Sequence, residues 1–278
     1  MVRSRVRWPG CPCWSSLRAS LRSVTRAVAS IICSLHRFLA AFDVGDELVT
    51  LPRDEGEHLT RVLRLGAGDT VRVFNGRGHE CLARVMAASR RAVSVQLLSR
   101  VETVPEPRVA VTLVQAVLKG DKMDDVVRDA VMLGVAAIQP LVTRRTEATV
   151  AALRRGARIE RWQRVALASV KQSRRAVLPN IHLPLTLEAY LDDPPPEVRV
   201  LLAEPGTGVA TEPISAIRGE PAPADAAVLV GPEGGWDPLE CETARARHVR
   251  LMTLGHRTLR ADAVAIAALS VLGFVWDG

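Results

Sequence analysis

Residues 228–235 read Val-Leu-Val-Gly-Pro-Glu-Gly-Gly, a short apolar run that ends in a glycine-rich turn. Such a run, bounded by glycine and proline, is typical of a strand buried on both faces of a parallel sheet. Two other runs end in the same way, Val200-Leu-Leu-Ala-Glu-Pro-Gly206 and Leu251-Met-Thr-Leu-Gly-His-Arg-Thr-Leu-Arg260. Because ligands of open parallel sheets bind at the carboxyl ends of the strands, these turns are predicted to form one binding cleft.

The sequence around these turns alternates between strand-like and helix-like segments. Strands are predicted at 109–117, 135–142, 198–203, 226–230 and 249–254. Asp121 is predicted to be the N-cap of a helix that closes at Gly134, and 158–173 carries apolar residues at helical spacing. The final segment, 262–276, is apolar on nearly every side, as expected for a helix buried between two bodies. The alternation predicts an α/β domain whose parallel sheet is covered by helices on both faces.

The segment before this domain has the pattern of a small β-rich domain. Strands are predicted at 71–74, 79–85 and 92–98, with the hairpin signal Asn75-Gly-Arg-Gly78 between the first two. A short helix is predicted at 55–65, with Leu59, Val62 and Leu63 on its packed arc. The two prolines of 101–107 favour an extended linker. These patterns divide the chain into an extension at 1–35, a small domain at 36–102 and a large domain at 103–278.

The net charge of +7 is carried by the amino-terminal part of the chain. Residues 1–42 contain seven arginines and no acidic residue, and the rest of the chain holds equal numbers of basic and acidic residues. Overall charge therefore does not argue for nucleic acid binding. The basic, acid-free composition of residues 1–35 predicts an unpacked extension, although an organellar transit peptide fits it as well.

Several classes of protein are disfavoured by the motifs that the chain lacks. Five cysteines without C-x-x-C spacing favour neither a disulfide framework nor a zinc site, so we expect a reducing, cytoplasmic compartment and no metal. The longest uncharged apolar run, 263–276, is shorter than the roughly 20 residues of a membrane-spanning helix, so no membrane association is expected. No G-x-G-x-x-G follows 109–117, which argues against a Rossmann-type site, and no Walker-type phosphate loop is present.

A series of motifs along the chain resembles, in the same order, those of one family of methyltransferases. They are His36-Arg-Phe38, His58-Leu-x-x-Val-Leu-Arg-Leu65, Phe74-Asn-Gly76, Gln115-x-x-Leu-Lys-Gly-Asp-Lys-Met-Asp124, Gln172-Ser-x-Arg175, Gly231-Pro-Glu-Gly-Gly235 and Leu254-Gly-x-Arg-x-Leu-Arg260. Together they resemble the bacterial ribosomal RNA small subunit methyltransferase E family, which methylates N3 of a uracil in 16S ribosomal RNA. The resemblance covers about Leu35 to the carboxyl terminus.

The resemblance implies a fold, a cofactor and partners. The large domain would be a SPOUT domain, an α/β knotted parallel sheet in which the carboxyl-terminal chain threads through a loop. The small domain would be a PUA-like β-barrel that binds RNA. The methyl donor would be S-adenosylmethionine, and the substrate would be 16S ribosomal RNA or the small ribosomal subunit. The final helix would lie in the interface of a homodimer.

The resemblance also implies that backbone atoms of the three turns hold the donor. The corresponding residues are Leu202, Ala203, Glu204, Gly231, Pro232, Glu233, Gly234, Gly235, Leu254, Gly255, Arg257 and Leu259. Simple turn geometry is the alternative explanation for the glycines.

The chemistry of the target atom points to a cation and a carboxylate near the third turn. Uracil N3 is mostly protonated near neutral pH, so its methylation needs removal of the proton or stabilisation of the anion. Arg260 is the candidate for stabilising charge on the base, with Asp262 orienting it or accepting the proton. A structural Arg–Asp pair at a helix start is the alternative, and Glu233 could be the proton acceptor instead.

Cations and polar groups in the matched motifs are candidates for RNA contacts, because phosphate contacts supply most of the affinity for RNA. They are Arg37, His58, Arg61, Arg64, Lys119, Lys122, Gln172 and Arg174. For any one of them, a solvated charged surface is the alternative.

The sequence departs from the family pattern after the third turn. Members often have Thr-Glu-Thr-Ala where this chain has Ala261-Asp-Ala-Val264, so a hydroxyl is absent at Ala263. If that hydroxyl contributes to the donor site, donor affinity would be lower in this chain. Two alternatives stay open: a knotted RNA methyltransferase that acts on a ribose 2′-hydroxyl or a guanine, and an RNA-binding protein without catalytic activity.

Overall fold

The computed structural model describes residues 35–89 and 92–277. Apart from Leu35, the predicted extension at 1–35 lies outside the described residues. The described chain divides into two compact units. The first unit comprises residues 35–73, 81–89 and 92–99, and the second comprises residues 74–80 and 100–277.

The first unit is built on a five-stranded sheet in the order β1-β3-β4-β5-β2. The strands are β1 (Arg37–Leu39), β2 (Leu48–Thr50), β3 (Thr70–Phe74), β4 (Glu80–Ala88) and β5 (Val93–Arg100). Side chains that alternate along these strands, such as Val71 and Val73, or Val93 and Val95, are buried with Phe38 in one apolar core. The predicted β-rich architecture of this segment is therefore confirmed.

The helix of the first unit changes type along its length. Helix α1 (Arg53–Glu57) continues as a π-helix over His58–Val62, in which the amide of Leu63 donates to the carbonyl of His58 at 3.1 Å. Leu59 is fully buried as predicted, but the prediction that Val62 packs on the same arc is wrong, because its side chain is 65% exposed. A π-helix closes its hydrogen bonds over five residues instead of four, so residues after Leu59 leave the face that ordinary helical spacing predicts.

The second unit contains an eight-stranded sheet in which seven strands follow the order β11-β13-β10-β12-β6-β7-β8, and β9 also pairs with β7. Its strands are β6 (Ala110–Ala116), β7 (Ala137–Val142), β8 (Asn180–Ile181), β9 (Leu185–Thr186), β10 (Val198–Leu202), β11 (Glu212–Pro213), β12 (Asp225–Val230) and β13 (Arg250–Thr253). All these neighbouring strands run parallel, which confirms the predicted parallel sheet. Leu202 pairs with both Val230 and Met252, so the carboxyl ends of β10, β12 and β13 are level.

Helices accompany the parallel strands of the second unit. They are α2 (Lys122–Met132), α3 (Val150–Arg155), α4 (Arg158–Ser173), α5 (Leu187–Asp192), α6 (Pro238–Ala246) and α7 (Ala261–Asp277), with a 3-10 turn at Ile214–Ile217. Within the described residues, no helix combines the length and the apolar composition needed to cross a bilayer.

Helix α2 begins and ends near the predicted residues, but its first turn is held differently from the prediction. Asp121 is at the N-cap position, yet its carboxylate makes no capping hydrogen bond and instead pairs with Arg161 of α4 at 2.9 Å. At the other end Gly134 has a φ of +90°, and its amide donates to the carbonyl of Val131. Glycine adopts this left-handed conformation without steric cost, which explains why the helix closes there.

The chain leaves the sheet after its last strand, β13, and ends in helix α7. β13 is inserted between β11 and β10, and the chain then continues into α7, which packs against α2 and β12. This path brings the turn after β13 to the same edge of the sheet as the turns after β10 and β12.

Candidate active site

A cleft opens where strands β10, β12 and β13 end. Its walls are residues 202–205, 230–233, 235–236, 253–254 and 257–262, together with Lys122 and Val264. The cleft has a volume of about 200 Å³. The three glycine-bearing turns therefore meet in one cleft, as expected from the strand ends. All of the predicted cofactor residues line it except Gly234 and Gly255, and the predicted catalytic residues Arg260 and Asp262 line it as well.

Trp236 joins the ends of two of these strands. Its indole nitrogen donates to the carbonyl oxygen of Leu202 at 2.9 Å, and this hydrogen bond is buried. Gly231 lies against the indole, since a Cβ at that position would be 3.0 Å from the indole nitrogen. A glycine at 231 therefore leaves the space that the tryptophan fills. Sequence reasoning did not single out Trp236, although an aromatic residue directly after a glycine pair at a strand end was the available signal.

The turn after β12 is held from outside by Arg145, which follows strand β7. The Arg145 guanidinium donates to the carbonyl oxygen of Gly234 at 2.7 Å, and a Cβ on Gly234 would be 3.3 Å from the Arg145 Cβ. Arg145 also lies 3.8 Å from the carboxylate of Asp237. Because these residues are far apart in the chain, the sequence contained no local signal for this contact.

Helix α6 continues from this turn through a buried capping box. The side chain of Asp237 caps the first turn, and the carboxylate of Glu240 accepts from the amide of Asp237 at 3.0 Å. The second Glu240 oxygen accepts from the amide of Arg144 at 2.8 Å. Glu240 is only 2% exposed, so this one carboxylate connects the loop after β7 to the turn after β12.

The turn after β13 is closed by its own residues. The hydroxyl of Thr253 donates to the carbonyl oxygen of Gly255 at 3.0 Å, and Gly255 has a φ of +145°. A Cβ at Gly255 would meet no atom within 4 Å, so the backbone conformation and not crowding favours glycine there.

Glu233 forms an ion pair on the wall of the cleft. Its carboxylate accepts from the ammonium of Lys122 at 2.8 Å and from the amide of Lys119 at 3.1 Å. Burial raises the pKa of Glu233, but the hydrogen bond from Lys122 and those from backbone amides outweigh burial, so its pKa lies below the ordinary value. Lys122, which was predicted to contact RNA, thus has its ammonium on a cleft wall and paired with a carboxylate.

Arg260 and Asp262 form a two-pronged pair at the start of α7. The Arg260 guanidinium donates to the two Asp262 oxygens at 3.1 and 2.9 Å. The Arg260 side chain is 75% exposed, whereas that of Asp262 is 25% exposed. Burial raises the pKa of Asp262, but the hydrogen bond from Arg260 and further favourable contacts lower it below its ordinary value overall. A carboxyl group with a lowered pKa is a weak proton acceptor, and its charge holds the guanidinium in place.

The residues predicted to contact RNA are divided between the two units. Arg37, His58, Arg61 and Arg64 belong to the first, and Lys119, Lys122, Gln172 and Arg174 belong to the second. His58 contacts the ring of Phe38, and Arg61 pairs with Glu57 at 3.3 Å. The ammonium of Lys119 pairs with Glu147 at 2.6 Å, and Gln172 and Arg174 are exposed. Most of these side chains are thus available at the surface of their own unit.

Arg175, the last residue of the predicted Gln172-Ser-x-Arg175 motif, is buried and stabilises the fold. It is 4% exposed and pairs with Glu106, and its guanidinium also donates to the carbonyl oxygens of Val131 and Val135 at 2.7 and 3.1 Å. Its neighbour Arg174 has a φ of +63° and projects to solvent. The motif therefore contains one buried arginine that fixes the end of α2 and one exposed arginine.

In 35–89 and 92–277, no group of three or more His, Cys, Asp or Glu side chains could hold a metal ion. Four charged residues of the cleft form the two pairs described above, Lys122 with Glu233 and Arg260 with Asp262. Glu204 and Arg257 also line the cleft.

Comparison with known proteins identifies the family. A family model for an RNA methyltransferase domain matches residues 105–273, and a model for an RNA methyltransferase PUA domain matches residues 51–98. The chain is 31% identical to the ribosomal RNA small subunit methyltransferase E of Synechocystis, over 91% of this chain and 82% of that protein. It is 30% identical to the protein of the same name from Rickettsia conorii, over 80% of this chain and 88% of that protein.

A solved structure supports the same assignment. The ribosomal RNA small subunit methyltransferase E of Neisseria gonorrhoeae, crystallised with bound S-adenosylmethionine, is 28% identical to this chain with a TM-score of 0.77. The match covers 87% of this chain and 98% of that one. The family models and the matched sequences point to the same family, which confirms the resemblance seen in the motifs. The chain belongs to the ribosomal RNA small subunit methyltransferase E family of RNA methyltransferases.

Proposed function

We propose that this protein transfers a methyl group from S-adenosylmethionine to N3 of a uridine in 16S ribosomal RNA. The observation that carries the proposal is the meeting of three strand-end turns in one cleft that also contains the Arg260–Asp262 pair. Family membership supports the reaction class and the ribosomal substrate.

The residues of the cleft fit the donor. Adenine and ribose need apolar walls and backbone donors and acceptors, and the turns offer both beside Leu202, Val230 and Leu254. Glycines at 231 and 235 keep the turns free of Cβ atoms that would collide with Trp236 and with Glu204. The bound donor supplies a methyl group activated by its positively charged sulfur. The protein then has to bind the two substrates, orient them and exclude water.

The catalytic contribution that we assign to the chain is stabilisation of the uracil anion. The Arg260 guanidinium is exposed on the cleft and available to an oxygen of the base, where it would stabilise the anion that forms when N3 loses its proton to water before the methyl transfer. Asp262 holds the guanidinium by two hydrogen bonds. Because the pKa values of Asp262 and Glu233 are both lowered, neither carboxylate is assigned the role of a strong base.

RNA binding is assigned to cations of both units. The exposed Arg61 and Arg64 of the PUA domain and the exposed Lys119 and Arg174 of the methyltransferase domain are suited to phosphate contacts. Lys122 is assigned to the cleft, because its ammonium is paired with Glu233. Salt should weaken the binding of ribosomal RNA if these contacts supply the affinity.

We further propose a knotted chain path and a homodimer. The insertion of β13 between β10 and β11, followed by the return of the chain to α2 as α7, supports the knotted path of SPOUT domains. The outer face of α7 supports the dimer, since Phe274 is 76% exposed and Ile266 and Val271 are 38% and 37% exposed. A face of this kind on a long apolar helix is typical of an interface.

The proposal is tested by mass spectrometry of ribosomal RNA nucleosides from a strain that lacks the gene. Loss of 3-methyluridine from 16S ribosomal RNA, and its return when the gene is restored, is the expected result. Persistence of 3-methyluridine with loss of a ribose-methylated or guanine-methylated nucleoside would identify another target. Calorimetry with S-adenosylmethionine distinguishes the non-catalytic alternative, for which no binding heat is expected at millimolar donor.

A further inference from the structure

Three carboxylates line the cleft, and two of them hold cations. Glu233 is paired with Lys122, and Asp262 is paired with Arg260. The carboxylate of Glu204 makes no hydrogen bond or ion pair with any residue of 35–89 or 92–277. Of the three carboxylates that line the cleft, only that of Glu204 therefore has no positively charged partner among the described residues.

The position of this carboxylate depends on a glycine in the neighbouring turn. A Cβ at Gly235 would lie 2.6 and 2.9 Å from the two Glu204 oxygens, so the carboxylate occupies the space that any other residue would need. Gly235 also has a φ of +69°, which favours glycine independently. The turn after β12 thus leaves room for the Glu204 carboxylate at the wall of the cleft.

Within the described residues, neither Arg257 of the cleft wall nor Arg145 beside the cleft forms an ion pair with Glu204. Arg145 lines a hollow next to the cleft that Glu204 also borders, but its guanidinium is held by the carbonyl of Gly234 and lies near Asp237. A nearby positive charge stabilises a carboxylate that has no partner on the protein. The ligand of this cleft would bring such a charge.

We propose that Glu204 recognises the positively charged sulfur of the methyl donor and makes the cleft prefer the donor over the product. The inference rests on the proposed function, because the donor carries a sulfonium whereas S-adenosylhomocysteine, the product, carries an uncharged thioether. The two ligands otherwise share adenine, ribose and the amino acid end. An unpaired carboxylate on the wall of the cleft therefore attracts the charged donor more strongly than the product, and it favours release of the product after transfer.

Calorimetric titration with three ligands tests this inference. The ligands are S-adenosylmethionine, S-adenosylhomocysteine and sinefungin, an analogue in which a protonated amine replaces the sulfonium. Glu204→Gln, which removes the charge but retains the shape, should weaken binding of the two charged ligands by about ten-fold and change product binding by less than about two-fold. Glu242→Gln, an exposed residue of α6 outside the cleft, is the matched control and should change none of them.

A second variant displaces the charge without removing it. Gly235→Ala would push the Glu204 carboxylate from its position, so the ratio of donor to product affinity should fall in this variant as well. Equal weakening of all three ligands in Glu204→Gln, or no weakening of any, would overturn the inference while the proposed function stands. Failure of the unaltered protein to bind either donor or product would instead overturn the proposed function, and the inference with it.

Discussion

The indole nitrogen of Trp236 donates a buried hydrogen bond of 2.9 Å to the carbonyl oxygen of Leu202. Leu202 is the last residue of β10, and Trp236 follows the turn after β12, so the bond holds two walls of the cleft together. It also gives a carbonyl at a strand end a buried hydrogen-bond partner.

Trp236→Phe should therefore lower both the free energy of unfolding and the affinity of the cleft for S-adenosylmethionine. Loss of the donor removes a buried hydrogen bond to the Leu202 carbonyl, which costs about 0.5–1.5 kcal/mol of the free energy of unfolding. Urea denaturation measures this loss, and calorimetry should report weaker binding of S-adenosylmethionine. Trp162→Phe is the control, because Trp162 is buried on α4 outside the cleft. Equal donor affinity in the two variants would mean that the hydrogen bond does not shape the site.

Arg260→Ala should abolish most of the turnover while the fold survives. The side chain is 75% exposed, so the free energy of unfolding should change by no more than about 0.5 kcal/mol. Removal of a group that stabilises transition-state charge typically lowers kcat by about 100-fold or more. The measurement is methyl transfer to 16S ribosomal RNA under saturating donor. Arg164→Ala, an exposed arginine of α4, should retain full activity, and unchanged turnover in Arg260→Ala would remove Arg260 from the mechanism.

Asp262→Asn tests whether Asp262 orients Arg260 or accepts the proton from uracil N3. The folded-state pKa of Asp262 is lowered, so the stability contributed by its pair with Arg260 is present above the ordinary carboxyl pKa and is lost as pH falls through the lowered value. Between about pH 5 and 8 the pair is thus fully formed, and the rate should rise with pH only because uracil N3 ionises. Asp262→Asn should lower the rate at every pH and leave the slope unchanged. A rate that is independent of pH in the unaltered protein but rises with pH in Asp262→Asn would identify Asp262 as the proton acceptor.

Glu240→Gln tests the buried connection between the loops after β7 and β12. The neutral amide retains one acceptor oxygen, so one of the two contacts with the amides of Arg144 and Asp237 is lost. The expected cost is about 1–2 kcal/mol of the free energy of unfolding, measured by urea denaturation. Glu242→Gln, two residues further along the same helix and exposed, should change it by less than about 0.5 kcal/mol. Similar values for both variants would contradict the structural role of Glu240.

Phe274→Glu tests the proposed dimer. A charge at the most exposed apolar residue of α7 should leave the fold intact and convert a dimer into monomers, because a buried unpaired carboxylate is costly at an interface. Sedimentation equilibrium of the full chain measures the change in mass. Leu183→Glu makes the same change at an apolar residue that is 59% exposed outside α7, and it should leave the mass unchanged. A monomeric unaltered protein would refute the dimer directly.

The strands and turns could be predicted because their signals are local. Short apolar runs that end in glycine predicted β10, β12 and β13, and the structure has all three in one parallel sheet. The Arg260–Asp262 contact could also be anticipated, since the two residues are two positions apart. The packing of Val62 could not, because the change from α-helix to π-helix alters which residues share a face.

By itself, the sequence determined where strands end, where the backbone must turn and which chemistry those turns carry. Only the tertiary structure decided that Lys122 pairs with Glu233, that Arg145 holds Gly234 and that Trp236 closes on Leu202. These partners are between 34 and 111 positions apart in the chain. Their meeting depends on strand order and register in the folded sheet, which no local pattern of residues specifies.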